Sequence, residues 1–311
     1  MRSTLNKKPD AEKLHFKKPI AAYLLILPAI VMVLVTLGYP LAKQIIMSFQ
    51  KFGLEQQFGA PAEWVFFDNY KSILTNPYFW KVFGKSLLFC LVTASITMFI
   101  GIGLSLLLLR TAPWARRILN TTLVVVWAMP ALASLTVWQW LIDPNFGLIN
   151  WVLSSLGFKE MAHYNWLSGS VFTFYLVASI IIIWQSIPLV TISIYAALAQ
   201  VSEDMLEASM LDGANSWQQI RHIMLPVISP VIALIGVLQI IWDLRVFTQI
   251  YVLQQSGGIQ EETNLLGTYV YQTGISRGNY GMASALAMVI LILTLVLTSH
   301  YLKMLFKQGE V

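Results

Sequence analysis

Two polar clusters interrupt long apolar runs in this 311-residue chain. Gln239, Trp242, Asp243 and Arg245 form one, and Trp184, Gln185 and Ser186, just before Pro188, form the other. A spacing of four puts Gln239 and Asp243 on one helix face, whereas Asp243 and Arg245, two apart, do not face each other on a regular helix. An Asp243–Arg245 ion pair is therefore not assured. Polar groups inside lipid are costly, so those facing a bundle interior default to a functional reading, such as lining a path for a polar solute. Helix–helix hydrogen bonding is the alternative, common for Gln and Ser. Pro188 removes an amide and crowds the preceding turn, so it is expected to bend or open its helix at mid-membrane.

Other reactive side chains point away from catalysis. Glu261 and Glu262 are adjacent and read as a solvated pair. His15, His163, His222 and His300 are scattered with no HExxH pairing, and Cys90 is alone. No metal site and no disulfide framework can be assembled from these. Nothing matches GxxxxGK[ST], so the chain has no loop to cradle a nucleotide phosphate. No catalytic residue, metal or resident cofactor is expected, and the chain is read as something other than an enzyme.

The elements that would position these residues follow from composition. With 57% hydrophobic and 11% charged residues, the chain reads as a polytopic membrane protein. A bilayer core needs about 20 apolar residues per helix, and residues 20–49, 82–109, 119–142, 171–198, 227–253 and 282–306 satisfy this. The expected fold is all-α, with six transmembrane helices. Arg2, Lys7, Lys8, Lys13, Lys17 and Lys18 precede the first span, Arg110, Arg116 and Arg117 follow the second, and Lys303 and Lys307 close the last. Basic residues accumulate in segments that stay inside, so both termini are placed in the cytoplasm. The net charge of +5 thus reports topology and not nucleic-acid binding. The chain divides into a basic amino terminus (1–19), one membrane domain (20–306) and a short tail (307–311). In the outer connections, Trp64, Phe66, Phe67, Tyr70, Tyr78, Phe79 and Trp80 read as an interfacial aromatic belt, and Lys43, Lys81 and Lys85 as snorkelling cations.

The connection at residues 199–226 is different. It is polar, helix-prone and placed inside by the parity of the spans. Ser202 ahead of Glu203 and Asp204 predicts a helix start, Gly213 a turn with positive φ, and Asn215 with Gln218 a capping box opening a second helix. Such a helix-turn-helix exposes apolar surface, fitting either a groove on another protein or a lipid-facing interfacial hairpin.

The same stretch matches Glu-Ala-Ala, three residues, Gly, nine residues, then Ile-x-Leu-Pro. Glu207, Ala208, Ser209, Gly213, Ile223, Leu225 and Pro226 fill these places, with Ser209 for the third residue. In this it resembles the coupling motif of binding-protein-dependent ABC import permeases. Asn69-Tyr70, TLVVVWAMPA, PNFGLINWVLSSLGF and VFTQIYVL extend the likeness to carbohydrate-type members, the six-helix disaccharide and glycerol-3-phosphate permeases related to the maltose-transporter F-type subunit. Where those relatives commonly carry Leu-Thr-x-Gly-Gly-Pro, this chain has Leu253-Gln254-Gln255-Ser256-Gly257-Gly258-Ile259 and lacks the proline.

The resemblance implies a type I ABC importer permease fold in a bacterial cytoplasmic membrane. It further implies a second homologous permease subunit, two cytoplasmic ATPase subunits that carry ATP and Mg, and an extracytoplasmic binding protein delivering a di- or oligosaccharide. The loop would dock on an ATPase subunit, with Glu207 in polar contact and Gly213 at the turn. Gln185, Ser186, Gln239 and Asp243 align with positions lining the substrate path. Amides, a carboxylate and indoles suit the hydroxyls and C–H faces of a sugar. A glycerol-3-phosphate cargo, an ion-driven secondary transporter and an enzyme acting on lipid-linked sugars are the alternatives.

Overall fold

The computed structural model describes residues 20–308. The basic segment 1–19, with His15, and the last residues 309–311 lie outside the described residues, as do the side chains of His300, Lys303 and Lys307. Among the described residues, five helices are long and apolar enough to cross a membrane, or six when one sharply bent pair is counted as a single span. The first span joins α1 (Ile20–Val33) to α2 (Tyr39–Ser48) through a π turn at Leu34–Gly38. The second is α3 (Pro77–Arg110), opened by Asn76, whose side chain accepts from the Tyr78 amide at 2.9 Å. At 34 residues it is longer than its apolar run.

The third expected span is corrected by the structure. It consists of α4 (Pro113–Ala128) and α5 (Ala131–Leu141), bent by 99° at Met129-Pro130. Pro130 cannot continue a helix and forces its predecessor extended, and Met129 sits at ψ 127. The expected opening at Pro188 does not occur, for α6 (Val171–Leu198) runs through it without interruption. The helix that opens is the fifth. After a short turn at Leu225–Val227 and a break at Ile228, α9 (Ser229–Leu244) ends at Arg245, and α10 (Thr248–Gln255) continues the span. Between α6 and α9 lie α7 (Glu203–Leu211) and α8 (Ser216–Gln219). The last helix is α11 (Tyr280–Gln308). A two-residue antiparallel ladder, Gln50–Lys51 against Glu63–Trp64, is the one departure from an all-α fold among the described residues.

The α3–α6 pair is the most extensive contact of the bundle, with α9 and α11 against α3 and α2, and α5 against α10. Lipid tails are as apolar as leucine, so close backbone approach is what holds such helices together. At Gly101 a Cβ would stand 2.5 Å from Val190 Cγ1. Any side chain there would push α3 from α6. The expected aromatic belt is only partly a belt. Trp64, Phe66 and Phe67 are exposed, but Phe79 is 1% exposed in the core, and the Tyr70 hydroxyl donates to Ser48 Oγ. Lys85 does not snorkel freely, since its Nζ donates to the Glu262 carbonyl.

Candidate functional site

Two regions gather the residues singled out in the sequence. The first is the α7–α8 hairpin. Glu203 and Asp204 occupy the first turn of α7, but Ser202, although at the cap position, makes no side-chain cap bond. The helix ends in a Schellman motif: the Gly213 amide donates to the Met210 carbonyl at 3.0 Å and the Ala214 amide to the Ser209 carbonyl at 2.9 Å. Gly213 holds φ +81°, which a β-carbon would strain. Asn215 and Gln218 then form the predicted capping box, each amide bonded to the other's side chain at 2.7 and 2.9 Å.

Gln219, unflagged by sequence reasoning, closes the hairpin. Its buried Nε2 donates to Ser209 Oγ at 2.9 Å and to the Leu206 carbonyl at 3.1 Å, while Ser209 Oγ donates to the same carbonyl at 2.7 Å. Ser209 at the third motif position thus exchanges a methyl for a hydrogen-bonded clasp. A serine followed ten residues later by an inward glutamine is a signal too weak to read without the turn between them.

The motif residues divide into two groups. Ile223 and Leu225, with Leu206 and Met224, pack on Val190, Ile194, Leu198 and Ile228 at the end of α6 and the start of α9. A π turn at Ile220–Met224 brings them there. Glu207, Ala208, Gly213 and Pro226 are exposed. Leu211 at the tip is 91% exposed, with Met210 and Trp217 beside it at 60% and 66%. One face is bolted to the membrane helices and the other presents an acid amid bare apolar side chains.

The second region lies mid-bundle. Asp243 is 3% exposed; its Oδ1 accepts from Gln239 Nε2 and its Oδ2 from Thr93 Oγ1, both at 2.9 Å. Asp243 makes no bridge to Arg245, and the one ion pair among the described residues joins exposed Arg277 and Glu261 at 3.8 Å. A cavity of about 340 Å³ is lined by Gln185, Ser186, Asp243, Arg245 and Gln249, with Trp127 and Trp242. Gln249 Nε2 donates to Gln185 Oε1 at 3.1 Å. Gln239 does not line this space but sits behind Asp243 and orients it. The opening of the fifth span at Arg245–Phe247, and not Pro188, shapes the cavity wall. No grouping of His, Cys, Asp or Glu suited to a metal occurs among the described residues.

Both the sequence and the fold have counterparts among known proteins. The pattern described as binding-protein-dependent transport system inner membrane component matches residues 98–308. The chain belongs to that family. The permease is 38% identical over 291 residues to the diacetylchitobiose uptake system permease protein DasB of Streptomyces coelicolor, covering 94% of this chain and 88% of that one. It is 30% identical to the trehalose/maltose transport system permease protein MalF of Thermococcus litoralis, covering 94% and 95%. Its fold matches a crystal structure of a bacterial ABC transporter for alginate import with a TM-score of 0.79 at 22% identity, covering 93% and 96% of the two chains. These relatives are transport permeases and not enzymes, and the type I importer permease fold implied by the coupling motif is the fold observed.

Proposed function

We propose that this permease is one half of the membrane channel of an ATP-driven importer for a di- or oligosaccharide, delivered by an extracytoplasmic binding protein. It pairs with a second, homologous permease in a bacterial cytoplasmic membrane, with both termini and the α7–α8 hairpin on the cytoplasmic side. Two ATPase subunits, which hold ATP and Mg, grip the hairpins. Closing of the ATPases moves the exposed face of α7, and the clasp and the packing of Ile223 and Leu225 pass that movement to α6 and α9. The cavity between those helices then opens alternately to either side.

The observation that carries the cargo is the cavity lining. Two amides, a serine and two indoles within about 340 Å³ offer hydrogen-bond donors and acceptors and flat apolar faces together, the combination a saccharide needs. Relatives named for diacetylchitobiose and trehalose/maltose support this. A glycerol-3-phosphate-type cargo is favoured by a single feature, Arg245, which faces the cavity with no carboxylate partner among the described residues. The test is uptake in proteoliposomes holding the purified assembly with internal ATP and external binding protein. Saccharide uptake that requires ATP, and is absent with this chain alone, is expected. Uptake by the chain alone under an ion gradient contradicts an ATP-driven importer, and uptake of glycerol 3-phosphate in preference to disaccharides selects the second cargo.

A further inference from the structure

Three aromatic rings meet at the end of the fifth span opposite the hairpin. Phe247 and Tyr251, one turn apart, stack with centroids 5.3 Å apart and 18° between their planes. Tyr271, from the Leu266–Tyr271 helix, stands 4.9 Å from Tyr251 and 5.3 Å from Phe247. All three are half-exposed. The rings form a wall common to three spaces. A cleft of about 90 Å³ is lined by Tyr251 and Tyr271 with Gln254, Gln255, Gln260 and Gln272. An open groove of about 650 Å³ has Phe247 and Tyr271 in its wall, and Phe247 also borders the mid-bundle cavity.

The cleft has a fixed floor. Asn264, 1% exposed, donates through Nδ2 to Gln272 Oε1 at 2.6 Å and to the Tyr78 hydroxyl at 2.9 Å, and its Oδ1 accepts from Gln254 Nε2 at 3.2 Å. The carbonyl of Gln272 is engaged, leaving its amide hydrogens for a ligand. Gln272 opens a π turn at Gln272–Ser276, a distortion frequent at functional sites. Among the described residues, no Asp, Glu, Lys or Arg lines the cleft. Amides for hydroxyls, ring faces for C–H surfaces and no fixed charge describe a site for a neutral polyol.

We propose that Tyr251, Tyr271 and the surrounding glutamines form a second saccharide subsite, at the mouth of the permease, from which an incoming sugar passes along Phe247 to the mid-bundle cavity. This rests on the saccharide reading above. A cleft of about 90 Å³ holds one edge of a sugar ring and does not enclose it. Such weak, multiple sites are what passage requires, since each must release what it binds.

The test uses the complete assembly in proteoliposomes, with labelled maltose, trehalose and N,N′-diacetylchitobiose, recording uptake and binding-protein-stimulated ATP hydrolysis together. Tyr251→Leu removes the flat face but keeps apolar bulk. Uptake is expected to fall about tenfold while stimulated hydrolysis stays within about twofold, and Tyr251→Phe, which retains the ring, to lie within about threefold of wild type. If Tyr251→Leu disturbs assembly, both readouts fall together, and Gln255→Ala decides instead: its side chain is exposed and makes no hydrogen bond among the described residues. Wild-type uptake by both Tyr251→Leu and Gln255→Ala overturns the subsite and leaves the saccharide reading standing. No uptake of any of the three sugars by the wild-type assembly overturns the saccharide reading and the subsite with it.

Discussion

The hairpin and the mid-bundle cluster are both polar devices in a lipid-embedded chain, yet they are built in opposite ways. The hairpin closes through bonds between residues three to thirteen apart in sequence, as in the Asn215–Gln218 box and the Gln219–Leu206 contact. Beside the local Gln239–Asp243 bond, the cluster depends on partners 150 residues apart, Thr93 and Asp243, and 64 apart, Gln185 and Gln249. A local device can keep its shape while the bundle rearranges, whereas a long-range cluster changes whenever two helices shift. On the function proposed above, the hairpin serves as a rigid lever and the cluster as a deformable path.

That contrast can be broken experimentally. The largest effect is expected for Glu207→Lys, which reverses charge on the exposed face of α7 without removing any hydrogen bond. ATP-dependent uptake should fall about 100-fold, while the unfolding temperature of the purified chain stays unchanged. A drop in stability would mean that Glu207 serves the fold and not a partner. Next is Gln219→Leu, which empties the clasp. Amides of residues 203–219 should exchange hydrogen about tenfold faster, corresponding to about 1.4 kcal/mol of local opening. Amides of α3 should not change.

A smaller effect distinguishes the cluster. Thr93→Val and Asp243→Asn should each destabilise by about 1 kcal/mol, and a double-mutant cycle should return a coupling of about 0.5 kcal/mol or more. The same cycle between Asp243 and Arg245 should return a smaller coupling, since no hydrogen bond or ion pair joins them. The smallest effect is Ser202→Ala, expected within about 0.5 kcal/mol of wild type because its hydroxyl caps nothing.

The sequence reveals what is periodic or local. Hydropathy locates the spans, and glycine and capping chemistry locate the hairpin. Breaks were legible only in part. Pro130 and Pro188 look alike in sequence, but Pro130 ends α4 with a right-angle bend and Pro188 is carried inside α6. Packing separates them: Pro188 is buried along the helix that touches α3, α4, α9 and α10, and those contacts keep the helix continuous. Gln239 and Asp243 share one face as their spacing predicts, but only the third dimension separates the residue that lines the cavity from the residue that steadies it. The ring cluster at Phe247, Tyr251 and Tyr271 had no sequence signal beyond aromatic content, because Tyr271 arrives from another helix.

The hairpin as a contact for the ATPase is tested most directly by placing a photo-crosslinking amino acid at Leu211, the tip residue that is 91% exposed. In membranes containing the complete assembly, irradiation should yield one protein adduct, to the nucleotide-binding subunit, with a yield that changes between ATP-bound and nucleotide-free states. Adducts to lipid alone, unaffected by nucleotide, would show a hairpin lying on the membrane surface and contradict the account.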